Sequence, residues 1–555
     1  MATQLKDEVS VVLSGEAGQG VQAVERLLTR VIKQAGYHVF AAKEYMSRVR
    51  GGTNSTSFRI SSRRVDAFID RIDLLIQLDD GRTKHLAKRI SAATLVLAAD
   101  IFNAKALELG NKILANVVAA GVVVGLLRLE PELLTAQVKS YFAKKSEELI
   151  GQNVAAALAG IEIGRDLLAK GTIGLDLQPD PAVQNDIILS GAEAIALGAL
   201  AGGCNFVAAY PMTPSTGIFT YLAQHAAECG LIAEQAEDEI AAINMALGAW
   251  YAGARAIVAT AGGGFALMVE GISLSGMLET PVVVSLGQRP APATGLPTRT
   301  EQGDLNFALY SGHGEFPRII LAPGSLDEAF DLSQKAFNLA DKFQVPVIIL
   351  SDQYLADSYY NIKPFDLAGV QVENNIIKTA EGYQRYKLTA DGLSPRGVPG
   401  YGDGLVGVDS DEHDETGHIT EDLELRAKMV DKRLAKMGEI MKAVVPPLLI
   451  GSDNYQTLVV GWGSNRNIIA EALKVIGDDK IAFLHFSQVY PLPPSTREYL
   501  VKAKKVILIE NNATGQFGQL IKLQTGYDIQ NKILKYNGLP FSVEELVQRL
   551  RALEL

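Results

Sequence analysis

An alternation running almost from end to end limits this chain most: short β-branched runs, each followed by a stretch with helical spacing. The run VSVVLS leads through the turn Gly15 to Gly20 into Val21, Val24, Leu27, Leu28 and Val31, which fall on one face of a helix. RVDAFIDRIDLLIQLD, AATLVLAAD and KSEELIGQNVAAALAGIEIGRDLL continue the pattern, so a parallel-type α/β domain is expected over 1–175. The proline-rich, acidic stretch 176–187 predicts an exposed linker. Over 188–365 the runs NFVAAYP, ARAIVATAG, TPVVVSLG, PRIILAP and VPVIILSD, with helices between them, predict a second doubly wound domain. Residues 366–450 are a connecting segment ending in a charged helix, and TLVVGWG, KIAFLHF and KKVILIE predict a third α/β domain over 451–555.

Composition narrows the function. With 52 Lys and Arg against 63 Asp and Glu, the net charge of -11 argues against general affinity for nucleic acid or an anionic membrane, so an anionic ligand needs a local site. The longest apolar run, Val117 to Leu127, is too short to span a bilayer, and MATQLKDEVS lacks the apolar core of a signal peptide. A cytoplasmic protein is expected. Two cysteines, Cys204 and Cys229, exclude a four-thiolate cluster built from this chain alone, so any redox metal belongs to a partner.

Several motifs carry chemistry, each beside a plainer alternative. Gly15, Gly18 and Gly20 sit between strand and helix, where amides and the helix dipole favour an anion. Their order is not the dinucleotide fingerprint, and Glu16 places a negative charge in the loop; a tight turn for strand–helix packing is the other reading. Arg48, Arg50, Arg59, Arg63 and Arg64 form a basic cluster that could face a phosphorylated ligand or an acidic partner, or simply a solvated face. Gly262 to Gly264 make a second glycine turn after the strand AIVAT. The string from Asp411 to Glu415 lacks helical ligand spacing, so a solvated or interface loop is expected there, not a metal site. Glu239 opens a helix whose small and apolar residues predict burial on all sides, an unusual place for a carboxylate. It could complement the helix dipole, as Glu237 and Asp238 could.

Glu239 lies nine residues before Gly248, in a setting that resembles the pyrimidine-binding domain of thiamine diphosphate enzymes. The resemblance implies that its carboxylate meets the aminopyrimidine ring, where a dry carboxylate can share a proton with the ring nitrogen and so help remove the thiazolium C2 proton. Longer strings extend the likeness. YPMTPST from Tyr210, GAWYAGARA, Gln288-Arg289-Pro290, TGLPTRTEQGDL from Thr294, VVGWGS and IENNATGQ resemble the α subunit of 2-oxoacid:ferredoxin oxidoreductases. GEAGQG, YMSRVRGGTNS and RIS resemble the γ subunit, here joined to the N-terminus. The chain departs from the family at Ala17, at Ala261 to Gly264, at Ala291 to Thr294 and at Gly191 to Ala194, mostly small for small.

The fold so implied is a multidomain α/β protein: a γ-type α/β domain, a thiamine-diphosphate pyrimidine-binding domain and a transketolase C-terminal-like domain. By the same resemblance, Tyr210 and Pro211 join Glu239 at the cofactor, with the Gly15, Gly18 and Gly20 loop a further cofactor-binding candidate. Thr213 would hydrogen-bond the substrate's keto oxygen or carboxylate, and Arg299 would clamp the carboxylate; both suit the charge they would meet. The reaction implied is decarboxylation of a 2-oxoacid, single-electron transfer to an iron–sulfur cluster and acyl capture by coenzyme A. Magnesium and the [4Fe-4S] cluster would reside on a separate β subunit, with thiamine diphosphate shared, ferredoxin as electron carrier and an α2β2 assembly. The motif wording is most like the 2-oxoglutarate type, with Arg289 and His313 as candidates for the distal carboxylate; pyruvate and branched-chain oxoacids stay open. A nucleotide-binding oxidoreductase and a non-catalytic scaffold are the readings from other classes.

Overall fold

A computed structural model describes residues 3–16, 20–46, 52–79 and 83–553. The chain forms two compact units, Met1–Ser190 with Asp357–Pro364 and Ser542–Glu545, and Gly191–Ala356 with Phe365–Phe541 and Leu546–Leu555.

The first unit is built on a seven-stranded sheet in the order Leu95–Leu97, Leu74–Gln77, Glu8–Glu16, Thr53–Ser61, His38–Glu44, Tyr359–Ile362, Ile187–Ser190, counted among the described residues. The sheet is mixed, not purely parallel: Glu8–Glu16 runs parallel to Leu74–Gln77 but antiparallel to Thr53–Ser61. The strand Glu8–Glu16 is buried on both faces, which is why VSVVLS reads as a continuous apolar run without alternation. Val24, Leu27, Leu28 and Val31 of the helix Val21–Gln34 are buried in the core, as their spacing predicts. The apolar run after Val117 lies in the helix Ala115–Leu126, sunk in the core and packed along Glu147–Ala169. Among the described residues, no helix is long and apolar enough to cross a membrane.

The stretch expected as an exposed linker is mostly exposed, with local structure of its own. Asp180 caps the turn Pro181–Asn185, Lys33 donates to the Gln184 carbonyl, and Ile187–Ser190 forms an edge strand against Tyr359–Ile362.

The second unit contains two sheets. In the larger, Ile232–Gln235, Phe206–Ala209, Ala256–Ala261, Val282–Gln288, Pro346–Asp352 and Ile319–Leu321 lie in that order and parallel, with Gln488–Tyr490 added antiparallel at one edge. The chain steps from Phe206–Ala209 outward to Ile232–Gln235, then returns to the other side at Ala256–Ala261. Strand order therefore reverses between Phe206–Ala209 and Ala256–Ala261, and the crevice at the carboxyl ends there is where such sheets bind ligands. The smaller sheet runs Leu448–Ile450, Ile481–Phe486, Thr457–Trp462, Lys505–Glu510, Asn531–Leu534.

The connecting segment is held by buried charge. Its helix Leu423–Lys442 sends Lys432 and Lys436 to Glu279 at 2.6 Å each, all three side chains 1% exposed. Two cations and the nearby Arg385 hold the Glu279 carboxyl far below its usual range, while burial moves Lys436 down to about 8. Arg396 pairs with Asp341, which also receives Arg255 at 3.2 Å.

Candidate active site

The site is assembled from the loops that follow the parallel strands. After Ile232–Gln235 comes the helix Glu239–Tyr251. Asp238 is its cap, accepting from the Ala241 amide at 2.7 Å, so Glu239 is not needed for that task. Glu239 is 3% exposed, and its Oε1 is buried without a hydrogen-bond partner. An uncompensated buried carboxylate oxygen is costly unless something outside the chain satisfies it.

The next loop makes room for that carboxylate. The strand Ala256–Ala261 runs directly into the helix Gly262–Leu267, so the glycines expected as a loop form its first turn, and a Cβ on Gly264 would lie 2.4 Å from Glu239 Oε1 and 2.2 Å from Thr260 Oγ1. Only glycine fits there. On the other side, YPMTPST follows Phe206–Ala209. Ser215 Oγ donates to the Thr260 carbonyl and pins this loop to the neighbouring strand end. Tyr210 and Pro211 are exposed at its start, and Thr213 is partly buried. Arg289, at the end of Val282–Gln288, donates from Nη1 to the Thr213 carbonyl at 2.7 Å. Its guanidinium forms no ion pair with a described residue, and burial lowers its pKa, with Asp304 acting in the opposite sense.

The loop carrying TGLPTRTEQGDL is fixed by three of the distinctive strings meeting at Gln302. Its backbone N–H donates to the Asn511 carbonyl at 2.7 Å and its Nε2 to the Trp462 carbonyl at 3.0 Å, while Asn465 Nδ2 donates to its Oε1 at 2.8 Å. Asn512 Nδ2 donates to the Gln302 carbonyl and Gln516 Nε2 to that of Gly303. Arg299 sits in this loop, half-buried against Gly538, whose carbonyl accepts from the Thr300 amide at 3.1 Å. The loop ends at Asp304, whose backbone N–H donates to Gln288 Oε1 at 3.0 Å. Asp304 is 7% exposed, and burial pushes its pKa up to about 6 against the opposing pull of Arg289.

The structure thus joins Thr213 to Arg289 and sets Glu239 on the Gly262–Gly264 turn. His313 goes elsewhere: its Nδ1 lies 3.0 Å from Ser273 Oγ, beside a cavity of about 340 Å³ lined also by Phe316 and Arg433. Gly15 is within a strand, paired with Asn54, and Gly20 adopts φ 76° with Asn116 packed where a Cβ would stand, which accords with the packing reading. Gly18, Arg48 and Arg50 lie outside the described residues. Arg59, Arg63 and Arg64 pair with Glu8, Asp7 and Asp66. The acidic string is a partly exposed loop anchored at two points: Glu412 receives Arg426 and Arg433, and buried His413 lies tilted over Tyr386 with ring centroids 3.8 Å apart. No group of His, Cys, Asp and Glu among the described residues could hold a metal ion. Sequence reasoning missed Asp304, because an aspartate before an apolar hexapeptide looks like a helix cap. It also left Gly262 to Gly264 without a purpose.

Glu239 Oε1 and the glycine beside it fit a ligand nitrogen that shares a proton with a carboxylate, as an aminopyrimidine would. A doubly wound sheet with such a carboxylate at its switch point, joined to two further α/β parts, defines the class: a multidomain protein with a pyrimidine-binding-type domain. The family described as pyruvate flavodoxin/ferredoxin oxidoreductase, thiamine diphosphate-binding, matches residues 197–432, and that described as pyruvate ferredoxin/flavodoxin oxidoreductase matches 10–163. A 2-oxoacid:ferredoxin oxidoreductase subunit alpha from Sulfolobus sp is 31% identical over 98% of this chain and 96% of its own length. A 2-oxoglutarate oxidoreductase subunit KorA from Mycobacterium tuberculosis is 32% identical, covering 79% of this chain and 68% of that one. The solved 2-oxoglutarate:ferredoxin oxidoreductase from Magnetococcus marinus, with 2-oxoglutarate, coenzyme A and succinyl-CoA bound, superposes with a TM-score of 0.91 at 29% identity, covering 99% of this chain and 100% of that one. This chain belongs to the family of 2-oxoacid:ferredoxin oxidoreductase alpha subunits.

Proposed function

We propose that this chain supplies the pyrimidine-binding half of a thiamine-diphosphate-dependent active site that converts 2-oxoglutarate to an acyl-CoA and CO2, passing electrons to ferredoxin through a β subunit. One observation carries the reading: Glu239 Oε1 is buried and unpartnered at the switch point, on a glycine that cannot carry a side chain. When bound, thiamine diphosphate supplies the nucleophilic carbon that attacks the keto group and accepts the electrons left by departing CO2. Glu239 Oε1 holds a proton at the aminopyrimidine ring nitrogen, and the buried Ala242, Ile243 and Ala246 of the same helix pack the side behind it. Thr213 offers a hydroxyl to the carbonyl oxygen as charge develops there, and Arg299 a planar pair of donors to the 2-oxoacid carboxylate.

Substrate length is read from Arg289. Its guanidinium has the Thr213 carbonyl as a hydrogen-bond partner and no ion pair among the described residues, so it keeps donors for a distal carboxylate. The Mycobacterium tuberculosis relative and the Magnetococcus marinus structure are both named for 2-oxoglutarate, which supports the choice. Relatives aligned over 98% of the chain are named only for 2-oxoacids, so broader acceptance is the second reading. The cluster would lie on the β subunit, since two cysteines cannot build a four-thiolate site, and the family resemblance assigns magnesium to that subunit too. The test is acyl-CoA formation by the chain co-purified with its partner, over a panel of oxoacids. A preference for 2-oxoglutarate that Arg289→Met shifts toward pyruvate is expected; equal use of both by the parent enzyme would replace the narrow reading with the broad one.

A further inference from the structure

Asp304 has no place in the chemistry above, yet it is a second buried carboxylate beside the same glycines. Among the described residues its carboxylate receives no hydrogen bond and forms no ion pair, and its Oδ2 is fully buried without a partner. It does not cap the helix Leu305–Tyr310, since its side chain makes no capping bond. It lies against the same glycine turn as Glu239, at the opposite end: a Cβ on Gly262 would meet Asp304 Oδ2 at 2.8 Å, just as one on Gly264 would meet Glu239. Gln288 fixes its backbone from the strand that ends in Arg289.

An ionised carboxylate without a donor, in a site that must admit an anion, works against that anion. A neutral carboxyl in the same place becomes a donor. Resting on the reading of the site as one for 2-oxoacids, we propose that Asp304 is a specificity-determining residue that binds the substrate in its protonated form, donating to a carboxylate oxygen of the 2-oxoacid beside Arg289, so that substrate binding takes up a proton. The charged groups around it are Arg289 at the end of the adjoining strand, Glu301 on its own loop and Glu239 across the glycine turn; Gln516, from the helix packed on Leu305–Tyr310, is neutral. Arg289 favours ionisation of Asp304, whereas burial opposes it and dominates. Glu301, itself raised by burial and by Asp304, reinforces the neutral form when it is ionised. An arriving carboxylate adds a further negative charge and pushes in the same direction.

The test is the pH dependence of KM and kcat for 2-oxoglutarate in the complex with its partner, from about pH 5 to about pH 8, where a raised carboxyl titrates. For the parent enzyme, KM is expected to rise above about pH 6 by up to about tenfold per pH unit, the limit for one proton taken up. Asp304→Asn, which keeps a donor but cannot titrate, should flatten that rise and bind more tightly than the parent at pH 8. Asp304→Ala should be equally flat but weaker at every pH. A rise of the same slope in both variants, or a flat KM in the parent enzyme, overturns the role of Asp304 while leaving the 2-oxoacid reading standing. Failure of the parent complex to turn over any oxoacid sinks that reading, and the inference with it.

Discussion

Glu239 was legible in the sequence as an acid at the mouth of an apolar helix, but its purpose was not, because helix dipole and ligand make the same demand on position. The structure adds to both: Asp238 takes the cap while Glu239 keeps its place in the first turn, where the dipole favours it, and its buried Oε1 is left without a hydrogen-bond partner. What no pattern could show is the glycine turn. Gly262 and Gly264 are distant in sequence from Asp304 and Glu239, and their need for hydrogen in place of a methyl group exists only after the sheet is formed. Gly264→Ala should therefore displace Glu239 and lower acyl-CoA formation by about a hundredfold or more, the range for losing a proton-transferring group, with the circular dichroism spectrum retained. Asp304 gives a stability prediction with a definite sign. Its folded pKa of about 6 lies above the unfolded carboxylate value, so the fold gains from its protonated state and loses that gain as pH rises through 6. Asp304→Asn should consequently be stabilised relative to the parent at pH 8, by about 1–3 kcal/mol, and much less so at pH 4; denaturant melts at the two pH values decide it.

Among the elements, nearly every β-branched run became a strand, since buried parallel strands are written as continuous apolar stretches. The elements that escaped notice are those paired far along the chain. Ile187–Ser190 and Tyr359–Ile362 close the first unit's sheet, and Gln488–Tyr490 joins a sheet whose other strands end at Asp352. Such short strands, at the edge or next to it, are specified by partners more than a hundred residues away, not by local propensity. The helix Leu423–Lys442, charged in its sequence, nonetheless buries Lys432 and Lys436 on Glu279. Removing that carboxylate leaves two ammonium groups buried together, so Glu279→Gln should cost about 3–5 kcal/mol. The same pairing sets an acid limit. Glu279 is held below its unfolded value, so its contribution is present above about pH 4 and fades as pH falls further. A melting temperature that declines as steeply in Glu279→Gln as in the parent below that pH would argue against it.

On the scale of the whole molecule, the proposed function asks this chain for groups that bind a cofactor and an oxoacid, and its two cysteines leave a four-thiolate cluster to a partner. The strings TGLPTRTEQGDL, VVGWGS and IENNATGQ, far apart in sequence, converge on Gln302 to hold the loop that carries Arg299, so the two sheets of the second unit are tied together there. Purified alone, the chain should form no acyl-CoA from any 2-oxoacid with a low-potential acceptor, and co-purification with a cysteine-rich partner should restore it. The account turns on Glu239 drawing a proton through the aminopyrimidine ring. The most direct measurement is the rate of hydrogen–deuterium exchange at C2 of thiamine diphosphate bound to the assembled complex, parent against Glu239→Gln. We expect exchange slowed by about 10²–10⁴-fold, the usual share of a positioned acid–base group, with cofactor content unchanged. Exchange at the parent rate in a fully loaded Glu239→Gln complex would contradict the account.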